Sequence, residues 1–236
     1  MGEVPWQLTA RMASVLAGLQ AVESVASRLC EAGRRMLDAD GAALTVVTSS
    51  NTMVVVASTD ELSVQLTDLQ EVVGEGPSKD AYRENAVQVA DFGEHGDGRW
   101  SLMHEHGRRL GFEDTIIAVP LRPGDDVIGT LTAHRSRDSV EVDPATADFL
   151  GVAIGLALVQ DPQLGEGHDF LADSWPVRAK IHQATGMVIS QVGVRPEDAL
   201  ALLRGQAFAN GTTLGAIAEQ IIDRRINFEH FMIEGD

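Results

Sequence analysis

The stretch QDPQLGEGHDF at 160–170 constrains this chain most. It is polar, rich in glycine and without hydrophobic periodicity, and the sequence changes character across it. Before it, β-branched runs alternate with helical patterns; after it, every pattern is helical. One sheet-centred core cannot span such a break. The 236 residues therefore divide into a mixed α/β unit at 8–160, a linker at 161–171 and an all-helical unit at 172–236.

In the first unit, Leu8 to Leu37 contains no proline. Val15, Leu19, Val22, Val25, Leu29 and Met36 recur there at spacings of three, four and seven, which predicts one long amphipathic helix. AALTVVTS at 42–49 and TMVVVAST at 52–59 read as a hairpin. Residues 61–85 begin as a helix, break at Gly74-Glu75-Gly76-Pro77 and resume as a short helix, with Pro77 suited to a first turn. A short strand at 86–91 precedes a polar, glycine-rich stretch containing Arg99 and Trp100, and a helix near 101–110 follows. Strands at 114–122 and 127–135 flank the turn Pro123-Gly124-Asp125-Asp126, and a helix over 144–159 closes the unit. This order gives a largely antiparallel sheet between helices.

The second unit reads as three helices, at about 174–191, 196–210 and from Thr212 or Thr213 onward, either threonine being able to cap the last. Each has a single apolar face, so the three can share a core, although about 60 residues is marginal for an isolated bundle. Docking or dimerisation stabilises such a unit.

The single cysteine, Cys30, excludes an intramolecular disulfide, a redox pair and a thiolate metal cluster, and it reads as a small core residue. The start lacks a basic flank followed by an apolar run, and FLGVAIGLALV at 149–159 is far shorter than the roughly 20 residues a membrane span needs. A soluble, cytoplasmic protein without membrane association is expected. The formal net charge of −17 is unlike that of a nucleic-acid binder, since phosphates repel a negative surface. The average conceals an asymmetry. Pro176 to Ile226 holds six basic and four acidic residues, a net of +2, while the remaining 12 basic and 31 acidic residues give −19. Such asymmetry between segments points to two domains with different partners.

Arg178-Ala-Lys-Ile181-His-Gln183-Ala184-Thr-Gly186-Met187, then Glu197-Asp198-Ala199-x-x-Leu202-Leu203-Arg204, then Leu214-x-x-Ile217-Ala218-x-x-Ile221-Ile222, resemble in order the three helices of the ANTAR domain. Leu69-Gln70-x-x-x-Gly74-Glu75-Gly76-Pro77, Val89-Ala90-Asp91, Arg99-Trp100 and Pro120-Leu121-Arg122 ahead of Ile128-Gly129 are similar to the GAF domains that precede ANTAR modules in actinobacterial antitermination regulators. The sequence departs from these patterns at several positions. His182 and Thr185 stand where an acidic residue and a lysine are usual, Arg195 where a capping serine is common, and Gly211 where an asparagine precedes the third helix. Ser78 takes a place often held by cysteine, which removes thiol-based sensing there.

The resemblance implies an α+β fold, with a GAF-like antiparallel sheet flanked by helices and followed by a small three-helix ANTAR bundle. It implies a non-catalytic, RNA-binding regulator of transcription antitermination that binds paired hairpins in nascent transcripts, with bases read in the loops. Arg178, Lys180, Arg204 and Arg225 are the phosphate candidates, and Gln183 and Thr185 the polar-contact candidates. Ser78, Arg99 and Trp100 are candidate contacts for an unknown small-molecule ligand of the sensor; no cofactor is implied.

Structural readings compete with each of these. Arg224 and Arg225 suit a helix C terminus, Gln183 suits packing, and an aromatic such as Trp100 suits a core. His95, His104 and His106 cluster in sequence, but no thiolate supports a metal site. The long N-terminal helix and the helix at 144–159 are the faces on which a homodimer is expected. The rival functions are an enzyme, for which no nucleophile or phosphate-loop motif is present, and a small-molecule sensor acting through DNA or a protein partner.

Overall fold

The computed structural model describes residues 5–22, 24–48, 52–93, 98–109, 111–136, 142–161, 175–210 and 212–228, with only the backbone described at 175–179, 182 and 197. The expected linker at 161–171, Asp161 apart, lies outside these residues.

The N-terminal stretch corrects the sequence expectation of one helix. It forms α1 (Pro5–Ala17) and α2 (Val25–Met36). Gly18 and Leu19 donate to carbonyls three residues back, tightening and ending α1. Ser24 then takes an extended backbone and caps α2, its hydroxyl accepting from the Ser27 N–H at 3.4 Å. The apolar repeat persists through the break because α1 packs on α2 and α6, burying Leu8 and Met12, so both helices need an apolar face.

Strands β1 (Gly41–Val47) and β2 (Met53–Ser58) form the expected hairpin, with a register shift at Leu44/Thr45. Helix α3 (Glu61–Val73) is capped by Asp60, whose carboxylate accepts from the Ser63 N–H at 2.9 Å. It ends at Gly74, whose φ of 78° lies in the left-handed region. Gly76, at φ 143°, leads into Pro77 at the start of α4 (Pro77–Glu84), and a Cβ at Gly76 would fall 2.4 Å from Gln70 Cγ. The sequence GEGP is thus a reversal that needs glycine both for its backbone and for its closeness to α3.

Strand β3 (Gln88–Asp91), helix α5 (Ser101–Arg109), strands β4 (Thr115–Leu121) and β5 (Gly129–Arg135), and helix α6 (Pro144–Gln160) complete the first unit. The sheet order is β2-β1-β5-β4-β3, antiparallel throughout. Helices α2 and α6 cover one face, where Leu44, Ile117, Val119, Leu121 and Leu131 meet Leu29, Leu150, Ile154 and Leu158. Gly151 lets α6 approach closely: its carbonyl accepts from the Arg122 N–H at 2.9 Å, and a Cβ there would lie 2.5 Å from the Pro120 carbonyl oxygen. Helices α3 and α4 cover the other face, and β5 is buried along its whole length.

The second unit is α7 (Trp175–Val192), α8 (Pro196–Ala209) and α9 (Leu214–Ile222). Thr213 is the cap of α9, accepting from the Ala216 N–H at 3.1 Å. Ala184, Val188, Ala199, Leu203, Ala207, Leu214, Ile217, Ala218 and Ile221 are buried together, and Val72 of α3 is buried in the same cluster. The three helices therefore complete their core against the first unit.

Candidate nucleic-acid interface

Helix α7 turns Ala184 and Val188 inward, which leaves Gln183 exposed. Lys180 reaches across to α9 and bonds Glu219. That bond holds the Glu219 carboxyl below the ordinary range, with a smaller pull from Arg225. Lys180 and Arg225 therefore flank one carboxylate. Arg225 follows α9 in a highly exposed position, 3.5 Å from Asp223, while Arg224 takes a left-handed φ of 58°. The Thr185 hydroxyl donates to the Ile181 carbonyl at 2.7 Å, one turn back. The side chain of Arg178 lies outside the described residues.

Arg204 does not join Lys180 and Arg225 at Glu219. From α8 it donates through Nη2 to Glu71 Oε1 of α3 at 2.5 Å. The other oxygen of Glu71 accepts from Lys79 Nζ of α4 at 2.8 Å, and this pair is buried, with side chains 8% and 10% exposed. Beside them, the ring of His106 in α5 packs 4.3 Å from that of Phe208 in α8. The sequence carries no signal for this network, since Arg204 is 133 residues from Glu71.

Asp68 stands one helical turn before Glu71. Burial, and then the charge of Glu71, push its carboxyl from 3.8 up to about 6. A carboxyl that keeps its proton longer in the folded chain than in the unfolded one favours folding at low pH. This advantage is full below 3.8 and gone above about 6. Asp68→Asn, which resembles the protonated acid, is expected to stabilise the protein by about 1 kcal/mol at pH 8, since water screens a partly exposed group. At pH 4 the expected change is near zero, and urea denaturation at both values checks the difference. An equal effect at the two pH values would show that the side chain is solvated.

The candidate ligand contacts of the first unit are all engaged internally. Ser78 is buried, donating its N–H to Gln70 Oε1 at 2.8 Å and sharing a 2.7 Å hydroxyl bond with Thr132. From there hydroxyl contacts run along the sheet through Thr130 to Thr45. The Trp100 indole N–H donates to Asp80 at 2.7 Å, and its ring is buried with Phe92, Met103 and Phe112. The Arg99 guanidinium lies 4.3 Å from that ring's centroid and donates to Gln88 at 3.0 Å. His104 stacks on Phe92, and His95 lies outside the described residues. Among the described residues, no group of three or more His, Cys, Asp or Glu could hold a metal ion. Cys30 is fully buried, and burial, followed by the charge of Glu31, pushes its thiol up to about 12. No described helix is long and apolar enough to cross a membrane.

Comparison with known proteins adds the following. No curated protein matches the chain. Among solved structures, it is similar to the chromophore-binding domain of Stigmatella aurantiaca phytochrome P1, with 11% identity over 65% of this chain and 60% of that one, and a TM-score of 0.44. It is similar to the A. Aeolicus nlh2 GAF domain in an inactive state, with 16% identity, 64% and 96% coverage and a TM-score of 0.43. It is also similar to the phycocyanobilin-bound GAF domain of a cyanobacterial phytochrome, with 14% identity, 66% and 97% coverage and a TM-score of 0.42. The chain spans about three fifths of the length of the phytochrome chromophore-binding domains it matches. The family model for the GAF domain matches residues 21–158, and that for the ANTAR domain matches residues 176–222. GAF domains are sensors and ANTAR domains are RNA-binding antitermination modules; neither is a catalytic domain. This chain belongs to the GAF domain family and carries an ANTAR domain C-terminal to its sensor.

Proposed function

We propose that this protein is a cytoplasmic regulator of transcription antitermination, in which the GAF sensor at 8–160 controls an ANTAR module at 172–236 that binds paired RNA hairpins in nascent transcripts. The observation that carries this reading is the ANTAR match over 176–222, within the segment Pro176–Ile226 whose net charge of +2 contrasts with −19 for the rest of the chain. No bond-making is needed. A protein that binds one RNA fold and not its competitor shifts the equilibrium between them by that difference in affinity. Lys180 and Arg225 serve the phosphates, joined by Arg178 and Arg204, while Gln183 and Thr185 make the polar contacts.

With the full chain and an RNA of two adjacent stem-loops, binding is expected to weaken steeply as salt is raised. Arg225→Ala is expected to lower affinity for every hairpin and to reduce the salt slope by about 1. Absent or salt-insensitive binding would favour a protein partner instead, and stronger binding to duplex DNA would favour a DNA role. A small molecule held by the sensor, at a site including Ser78, Arg99 and Trp100, is the proposed input; mass spectrometry of compounds retained by the purified protein tests it.

A homodimer is part of the same proposal. Helix α6 is apolar on both sides, and Val152, Leu156 and Val159, spaced by four and three residues, are 43%, 41% and 54% exposed. Trp6 on α1, a helix that packs on α6, is also exposed. A helix apolar all round is stable in water only when covered. Val152→Glu with Leu156→Glu is expected to halve the mass seen by sedimentation, and a parent chain that sediments as a monomer at tens of micromolar removes the proposal.

A further inference from the structure

We propose that Glu71 is a latch that docks the helical module on the sensor and withholds Arg204 from RNA phosphate, an inference that rests on the RNA-binding function above. Glu71 lies in the last turn of α3 and is 6% exposed. Its two oxygens are divided between the units, one bonded to Lys79 of the sensor and the other to Arg204 of the module. Lys79 follows Ser78, which is tied to Gln70 on α3 and to Thr132 on the sheet. A single carboxylate thus connects the sheet-anchored start of α4 to the face of α8.

Arg204 is held incompletely. Its Nη2 meets Glu71, but its Nε is buried without a hydrogen-bond partner among the described residues. Leaving a buried donor unmade is costly, and a phosphate can accept from two guanidinium nitrogens together. RNA and Glu71 therefore compete for one side chain, and RNA offers the bond that Glu71 leaves unmade. A shift of residues 74–80 that draws Glu71 toward Lys79 loosens its hold on Arg204. By linkage, RNA that captures Arg204 weakens docking of the module to the same extent. The surrounding contacts, Val72 in the module's core and His106 against Phe208, are apolar or aromatic and set where the module rests.

The test uses the full chain with Glu71→Gln and Lys79→Met together, so that neither buried charge is left alone. Without RNA, amide hydrogen exchange in α8 is expected to quicken by about fivefold or more. Affinity for the two-stem-loop RNA is expected to rise by about 5- to 150-fold, the usual span of coupling between sites, and to lose that gain when Arg204→Met is added. Phe208→Ser opens the same face without altering a charge and serves if the double variant does not fold. Unchanged exchange in α8 in a folded variant overturns the latch whether or not RNA binds. Faster exchange with unchanged affinity overturns the withholding of Arg204. Faster exchange with no RNA binding by any form leaves the docking role standing and sinks the RNA-binding function instead.

Discussion

Leu203→Ala is expected to unfold the helical module while leaving the sensor folded, and so to abolish hairpin binding. Leu203 is fully buried among Ala184, Val188, Ala199 and Ile217. Four of the nine module residues in that cluster that are buried in α7–α9 are alanines, so Leu203 supplies a large share of the apolar volume. Truncating a buried leucine to alanine costs about 2–5 kcal/mol, including the cavity left behind. A unit of this size has little stability of its own to set against that loss. Hydrogen exchange should show protection lost across α7, α8 and α9 and retained in β1, β4 and β5. Full protection in 176–222 would mean that the sensor alone holds the three helices together.

Gly129→Ala is expected to destabilise the sensor by about 3 kcal/mol, the upper end of what overpacking usually costs. A Cβ at this position would lie 2.0 Å from the Thr45 carbonyl oxygen and 2.9 Å from Val46 Cα. These are backbone atoms of β1, and Gly129 pairs with Val46 in the register of β1 and β5. No side chain can turn aside to make room, so the strands must separate at that end. Urea denaturation should show a lower midpoint, with the loss centred on β1 and β5 by exchange. A loss under about 1 kcal/mol would show that β1 shifts without breaking the pairing.

The secondary structure was largely legible because periodicity reports which face of an element is covered. The β-branched runs at 42–49 and 52–59, the breaker GEGP and the three apolar stripes after 172 each became the expected element. The division of the N-terminal helix is not legible in the apolar repeat, although Gly18 and Ser24 mark the places where α1 ends and α2 is capped. The apolar stripe ran through both and outweighed them. For the candidate interface, helix positions were legible and partners were not. Nothing local to Arg204 points to Glu71, and Lys79 meets Glu71 only because two glycines turn the chain back between them. Ion pairs of this kind depend on how helices dock, which residue spacing does not encode.

Val72 belongs by sequence to one domain and by burial to the core of the other. The module is therefore not an interchangeable cassette. Grafted behind a different receptor, it keeps its own inward side chains but meets a foreign helix where an isopropyl group used to fit. Chimeras should tolerate the exchange only when the recipient offers a β-branched aliphatic at the matching place, and swaps that ignore this single position should lose helicity before they lose specificity.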